Sequence, residues 1–244
     1  MKELIIDNKI TGVLHPARAA QHRGVLIISH GFRGSLDGGG RAISLAEAAA
    51  ENFAVLRFAF TPLGTLSRQV AELESVLSYA RQTISENVVL LGRSMGGCAS
   101  LLAAAKTTGI LGIIFWSMPL DLKEVFTIAL GKENMAKLRA GQAVRLDDEW
   151  GQGALTPDFY TDLVRHDLSA ALISLPALPV LFIHGELDEL VPVKQAEKAF
   201  SLAKQPKKIC VIRGGDHRFI NGFELSRQAV RDWLKTTFGG RRFV

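Results

Sequence analysis

The chain has 244 residues, 48% of them hydrophobic, and no Ser/Pro-rich or charge-rich linker divides it, so one domain with a sizeable core is expected over 1–244. Its 29 basic and 24 acidic residues leave a net charge of +5, part of it in the tail "GGRRFV" and none in the clustered stripe that a nucleic-acid groove requires. No segment offers the roughly eighteen uninterrupted apolar residues of a membrane helix, and the start "MKELIIDNKITG" lacks the apolar core of a signal peptide. The expectation is a soluble, cytoplasmic protein without a nucleic-acid or membrane partner. Cys98 and Cys210 fit neither a zinc pattern nor a disulfide framework and read as small core residues, and no metal site is expected.

In chain order, "ELIIDNKITGVLHPA" reads as an antiparallel hairpin at a sheet edge. Apolar runs then recur at "GVLIISHG", "AVLRFAF", "NVVLLGRS", "LGIIFWSM", "PVLFIHGE" and "KKICVIRGG". Helix-periodic segments separate most of them: "RAISLAEAAAEN", "TLSRQVAELESVLSYARQ", "GCASLLAAAKT", "KQAEKAFSLAK" and "ELSRQAVRDWLKTTF". This alternation predicts an α/β chain with a mostly parallel central sheet flanked by helices. After the strand at 111–118 the rhythm breaks for about sixty residues, several times an ordinary connection. Residues from about 119 to 155 read as an insertion, and "PDFYTDLVRHDLSAAL" as a helix that returns the chain to the sheet. Ligands of parallel sheets bind at the carboxyl ends of the strands, where this insertion begins, so it is expected to act as a cap over about 119–160.

Gly92-Arg93-Ser94-Met95-Gly96 lies where a buried strand turns into a small-residue helix. A serine at such a corner is lifted clear of the sheet, and the glycines let strand and helix pass closely, so Ser94 reads as a nucleophile. Its hydroxyl needs a base and an acid downstream. Of six histidines, His15, His22 and His30 precede the serine, His184 lies within a strand and His166 in a helix. That leaves His217, in the loop "RGGDHRF" beyond the last strand. For the acid, Asp188 in "HGELDELVP" is preferred, Asp121 in "SMPLDL" is the alternative, and Asp216 reads as a turn residue. The N–H of Met95 and that of Phe32, in "SHGFRGS", form the expected oxyanion hole, with His30 orienting the loop. "DGGGR" matches no phosphate-binding glycine motif and reads as a flexible entry to the next helix.

With those residues in that order, the chain resembles the α/β-hydrolase superfamily over nearly its whole length. "LPVLFIHGELDELVP" followed by "IRGGDHRF", with the insertion after "FWSMPLDL", is similar to small bacterial carboxylesterases of the cinnamoyl or feruloyl esterase branch. The resemblance implies a serine hydrolase without cofactor that cleaves a small-molecule carboxylic ester, with Ser94 as nucleophile, His217 as base and then acid, Asp188 as its orienter, and Phe32 and Met95 as oxyanion donors. Two departures stand out: Arg93 where the branch has His, and "TPLGT" where it has Gly-His-Gly. Peptidases, thioesterases and lipases share the triad, and a non-catalytic ligand-binding scaffold is the reading from another class. Among the large side chains of the insertion, Phe126, Met135, Trp150, Phe159 and Tyr160, the residues Trp150 and Phe159 are expected to contact substrate. A homodimer stays open.

Overall fold

The computed structural model describes residues 1–148 and 150–239; the basic tail beyond lies outside them. The chain opens with β1 (Lys2–Ile6) and β2 (Ile10–His15), then runs through β3 (Val25–Ser29), α1 (Arg41–Ala49), β4 (Ala54–Phe58), α2 (Leu66–Thr83), β5 (Val88–Arg93), α3 (Met95–Lys106) and β6 (Ile110–Trp116). An excursion follows: α4 (Leu122–Leu130), α5 (Lys132–Arg139), a hairpin of β7 (Val144–Asp148) and β8 (Gly151–Leu155), α6 (Pro157–Arg165) and α7 (Leu168–Ser174). The chain ends with β9 (Val180–Gly185), α8 (Val193–Leu202), β10 (Lys207–Ile212) and α9 (Phe223–Phe238).

Eight strands make one sheet in the order β1-β2-β4-β3-β5-β6-β9-β10, and β2 runs antiparallel to both β1 and β4 while the pairs from β4 to β10 are parallel. Both faces are covered, which is why the central strands read as unbroken apolar runs. Ile27, Leu90 and Ile113 point into a core closed by α2, α3, α7 and α8, whereas Leu26, Leu91 and Ile114 meet α1 and α9 on the other face. Cys98 is buried in the first of these layers and Cys210 is half-buried, both as free thiols.

The excursion differs from the sequence expectation in two places. The stretch expected to be one helix is broken: His166 adopts extended angles and Asp167 caps a new helix, accepting the Ala170 N–H at 2.9 Å. Only α7 reaches α3 and the sheet layer, while α6 packs with α2, α4 and α5. The β7–β8 hairpin was not expected, because "VRLDD" and "GQGAL" bury only Val144, Leu146 and Leu155 and carry no apolar run. Among the described residues no helix is long and apolar enough to cross a membrane.

Asp162 of α6 ties the excursion to the body. It is 6% exposed and accepts the Ser67 N–H at 2.9 Å in the first turn of α2, where an N–H lacks an intrahelical partner and the helix dipole favours a negative charge. Asp162→Ala leaves that part-buried donor without its acceptor and is expected to lower unfolding stability by about 1 kcal/mol, read from urea denaturation. An unchanged midpoint would remove this contact from the anchoring of α6.

Candidate active site

Ser94 sits between β5 and α3 with φ 51° and ψ −126°, a conformation that costs a non-glycine residue roughly 1–3 kcal/mol and persists only where the surroundings enforce it. The enforcement is backbone contact. A Cβ on Gly92 would lie 2.5 Å from the Gly97 Cα, and one on Gly96 would run into the His30 carbonyl. The Ser94 N–H is held by the Trp116 carbonyl at 2.8 Å, and its own carbonyl accepts the Gly97 N–H at 2.8 Å. A Cβ on Gly31 would lie 2.8 Å from the Ser94 Cβ, so the Gly31-Phe32 backbone runs directly beside the serine. Met95 opens α3, where N–H groups point outward from the positive end of the helix.

His217, 6% exposed, places Nδ1 2.9 Å from Asp188 Oδ2 and 3.0 Å from Oδ1. Asp188 also accepts the N–H groups of Val191 at 2.7 Å and Leu190 at 3.1 Å. Burial would raise this carboxyl, but the His217 hydrogen bond, the His217 charge and the Val191 N–H outweigh it and hold it below the ordinary range. Beneath it lies His184, fully buried, whose Nε2 faces the Val191 carbonyl at 2.8 Å and Asp188 Oδ2 at 3.4 Å. The His217 backbone is pinned at both ends: its N–H donates to Glu189 at 3.0 Å and its carbonyl accepts from Arg93 at 2.8 Å. Asp121, the alternative acid, is exposed and caps α4 through the Glu124 N–H at 2.9 Å. Asp216 accepts the N–H groups of Ile220 and Asn221, as a turn residue does.

His30 fastens the loop after β3: Nδ1 meets the Gly31 carbonyl at 2.8 Å and Nε2 accepts the Phe60 N–H at 3.0 Å. The neighbouring Phe32 ring packs against Phe126 and Phe159 at centroid distances of 5.1 and 5.4 Å. The two residues expected to contact substrate therefore part company. Phe159 is 1% exposed inside this aromatic cluster, whereas Trp150, at the tip of the β7–β8 hairpin, is 53% exposed with the Arg218 guanidinium 4.4 Å from its ring centroid. Arg33 also reaches the hairpin tip, donating to the Gly151 carbonyl at 2.6 Å.

A cavity of about 170 Å³ is lined by Arg93 and Arg218, the chain neighbours of Ser94 and His217, and by none of Ser94, Asp188 and His217 themselves. Trp150, Trp116 and Phe219 form apolar walls, and Arg93, Arg218 and Arg41 bring guanidinium groups to it. Sequence reasoning missed Arg41, at the start of α1, and Arg218, in the loop after β10, which lie far apart in the chain; the departure at Arg93 and the glycines of "DGGGR", read only as a flexible helix entry, were the available signals.

No family model matches the chain. The uncharacterized protein YfhR of Salmonella typhi is 27% identical over 190 residues, covering 73% of this chain and 59% of its own, and the Escherichia coli K12 protein of that name is 41% identical over 46 residues. The chain thus spans less than two thirds of the relatives it matches. Among solved structures, Est1E from Butyrivibrio proteoclasticus with ferulic acid bound superimposes with a TM-score of 0.79 at 21% identity over 98% of this chain and 100% of that one. A monoacylglycerol lipase from Paleococcus ferrophilus gives 0.73 at 19% identity over 94% and 99%. The chain has the α/β-hydrolase fold and resembles esterases and lipases built on it.

The buried histidines give stability a pH dependence of definite sign. Burial pulls His30 and His184 below the ordinary histidine range, so the unfolded chain takes up their protons first and stability falls as pH drops below about 6.5. Asp188 adds a loss of the same sign below about pH 4. The urea midpoint is expected to decline from pH 7.5 to 5.5, and less steeply in His184→Gln; an equal slope would place the proton uptake elsewhere.

Proposed function

We propose that the protein is a serine hydrolase that cleaves a carboxylic ester through an acyl-enzyme. The observation that carries this reading is Ser94 held at a strained strand-to-helix corner, with a buried Asp188–His217 pair following it in chain order. Ser94 Oγ attacks the ester carbonyl while His217 Nε2 takes its proton, and Asp188 holds the imidazole with Nδ1–H toward the carboxylate and stabilises the imidazolium. The N–H groups of Phe32 and Met95 stabilise the tetrahedral oxyanion. Collapse expels the alcohol with a proton from His217, and water, activated by the same nitrogen, releases the acid and restores Ser94. No step calls for a metal or an organic cofactor. The bound ferulic acid of Est1E and the name of the lipase support a small-molecule ester over a peptide.

A fluorophosphonate probe is expected to label the protein at Ser94 alone, and Ser94→Ala to lose hydrolysis by several orders of magnitude while keeping its melting temperature. Asp188→Asn is expected to impair turnover far more than Asp121→Asn, whose carboxylate is spent on capping a helix. Labelling elsewhere, or the reverse ranking, would sink the assignment.

The two cap residues separate by the same logic. Phe159→Ala opens the cluster behind Phe32 and is expected to cost about 3–5 kcal/mol of stability and to slow every ester alike. Trp150→Ala is expected to leave stability nearly intact and to shift the kcat/KM ratio between an aromatic and a short aliphatic ester by about 1–3 kcal/mol. An unchanged ratio would remove the hairpin tip from substrate selection.

A further inference from the structure

The cavity next to Arg93 gathers three guanidinium groups, those of Arg41, Arg93 and Arg218, and among the described residues its lining includes no carboxylate. Arg93 is half-buried in its wall and makes one hydrogen bond, through Nη2 to the His217 carbonyl. Arg41 enters from the first turn of α1. Among the described residues, neither has a carboxylate within ion-pair distance. The nearby acids are engaged elsewhere: Asp37 pairs with the buried Arg57 at 2.6 Å, Asp188 holds His217, and Asp216 holds the N–H groups of its own turn. Burial, followed by the charge of Arg41, pulls the Arg93 guanidinium down to about 10 against the opposing charges of Asp188 and Asp216, so it stays charged at neutral pH with no carboxylate in ion-pair contact.

Two further features point the same way. Gly38, Gly39 and Gly40 all have positive φ, and they lead into α1 with no side-chain cap and no acidic residue in its first turn. Gly38 and Gly39 line the cavity, so the positive end of α1 lies at its edge, although the Arg41 and Ala42 N–H groups already donate to the Gly38 and Asp37 carbonyls. Trp116, 5% exposed and also in the cavity lining, has an indole N–H with no acceptor among the described residues.

We propose that this cavity binds a carboxylate, held by Arg93 and Arg41 at the start of α1, and that the substrate is an ester whose carboxylate is joined to the scissile bond by a compact apolar segment. The segment lies against Trp116, Phe219 and Trp150. At about 170 Å³ the space suits a single ring, since a cavity of about 150 Å³ holds benzene. The ester linkage rests on the reading of Ser94 as nucleophile; the anion site does not.

The test is calorimetric titration of wild type and Ser94→Ala with benzoate, with its neutral isostere benzamide, and with inorganic phosphate. Benzoate is expected to bind both proteins roughly ten- to a hundredfold more tightly than benzamide. Arg41→Glu should abolish that preference and Arg41→Gln should reduce it, with circular dichroism showing both folded. Phosphate binding more tightly than benzoate would overturn the carboxylate and make a phosphate ester the ligand class. Benzoate binding no better than benzamide, or Arg41→Glu binding it as wild type does, would overturn the site altogether. If benzoate binds as expected while a fluorophosphonate leaves Ser94 unlabelled, the nucleophile reading falls and the anion site stands.

Discussion

Backbone-to-backbone contact at one seam sets the geometry of everything around Ser94. The start of α3 is pressed against the end of β3 so closely that Gly96 leaves no room for a side chain beside His30. Such contact buries carbonyls, and the sequence supplies small hydroxyls to meet them. Ser29 and Ser100, both buried, direct Oγ to the Gly96 carbonyl at 3.1 and 2.9 Å. The seam holds Ser94 in its strained conformation and brings the loop carrying the Phe32 N–H alongside the helix that begins with the Met95 N–H. Relaxing the contact would separate all three at once.

Loops that pack on this seam are tied to it by polar contacts as well as by core burial, as Phe219 shows by packing on Trp116. Arg93, next to the serine, donates to the carbonyl of His217, and Glu189, next to Asp188, accepts the N–H of His217. The neighbours of Ser94 and Asp188 thus hold the backbone of His217, which fixes its buried imidazole beside Asp188. The excursion reaches the same place by two routes: Phe126 and Phe159 pack behind Phe32, and the hairpin tip meets Arg33 and Arg218. One route is buried and packs behind the Phe32 loop; the other is exposed and borders the cavity.

The central fold was legible because its strands are buried on both faces and read as apolar runs, and the helices between them keep their period. The corner at Ser94 and the Asp188–His217 pair were legible as candidates because the strand-to-helix turn and the chain order limit the choice, and the structure shows both the strained corner and the paired side chains. The hairpin escaped notice because a two-stranded ribbon over a loop buries only three of its apolar side chains. The break between α6 and α7 was hidden because His166 and Asp167 include neither Gly nor Pro, and an aspartate cap inside a periodic stretch looks like an ordinary polar position. Trp150 and Phe159 looked alike in sequence, since an aromatic residue in an irregular segment gives no sign of which way it faces.

Net charge was the least informative quantity of all, because it counts a paired arginine and an unpaired one equally. Arg57 has Asp37, Arg68 has Glu72, Arg165 has Asp162 and Arg227 has Glu224, each within 4 Å. These pairs are internal to the fold and leave little field for a ligand. Arg41 and Arg93 belong to the start of α1 and to the end of β5, far apart in the chain, and converge only because α1 begins at the edge of the sheet where β5 ends. The same edge gathers the positive end of α1 and the half-closed wall of Trp116, where a low local dielectric strengthens whatever charge is left uncompensated. A mild excess of five positive charges therefore becomes a directional feature where the fold withholds the partners it supplies elsewhere.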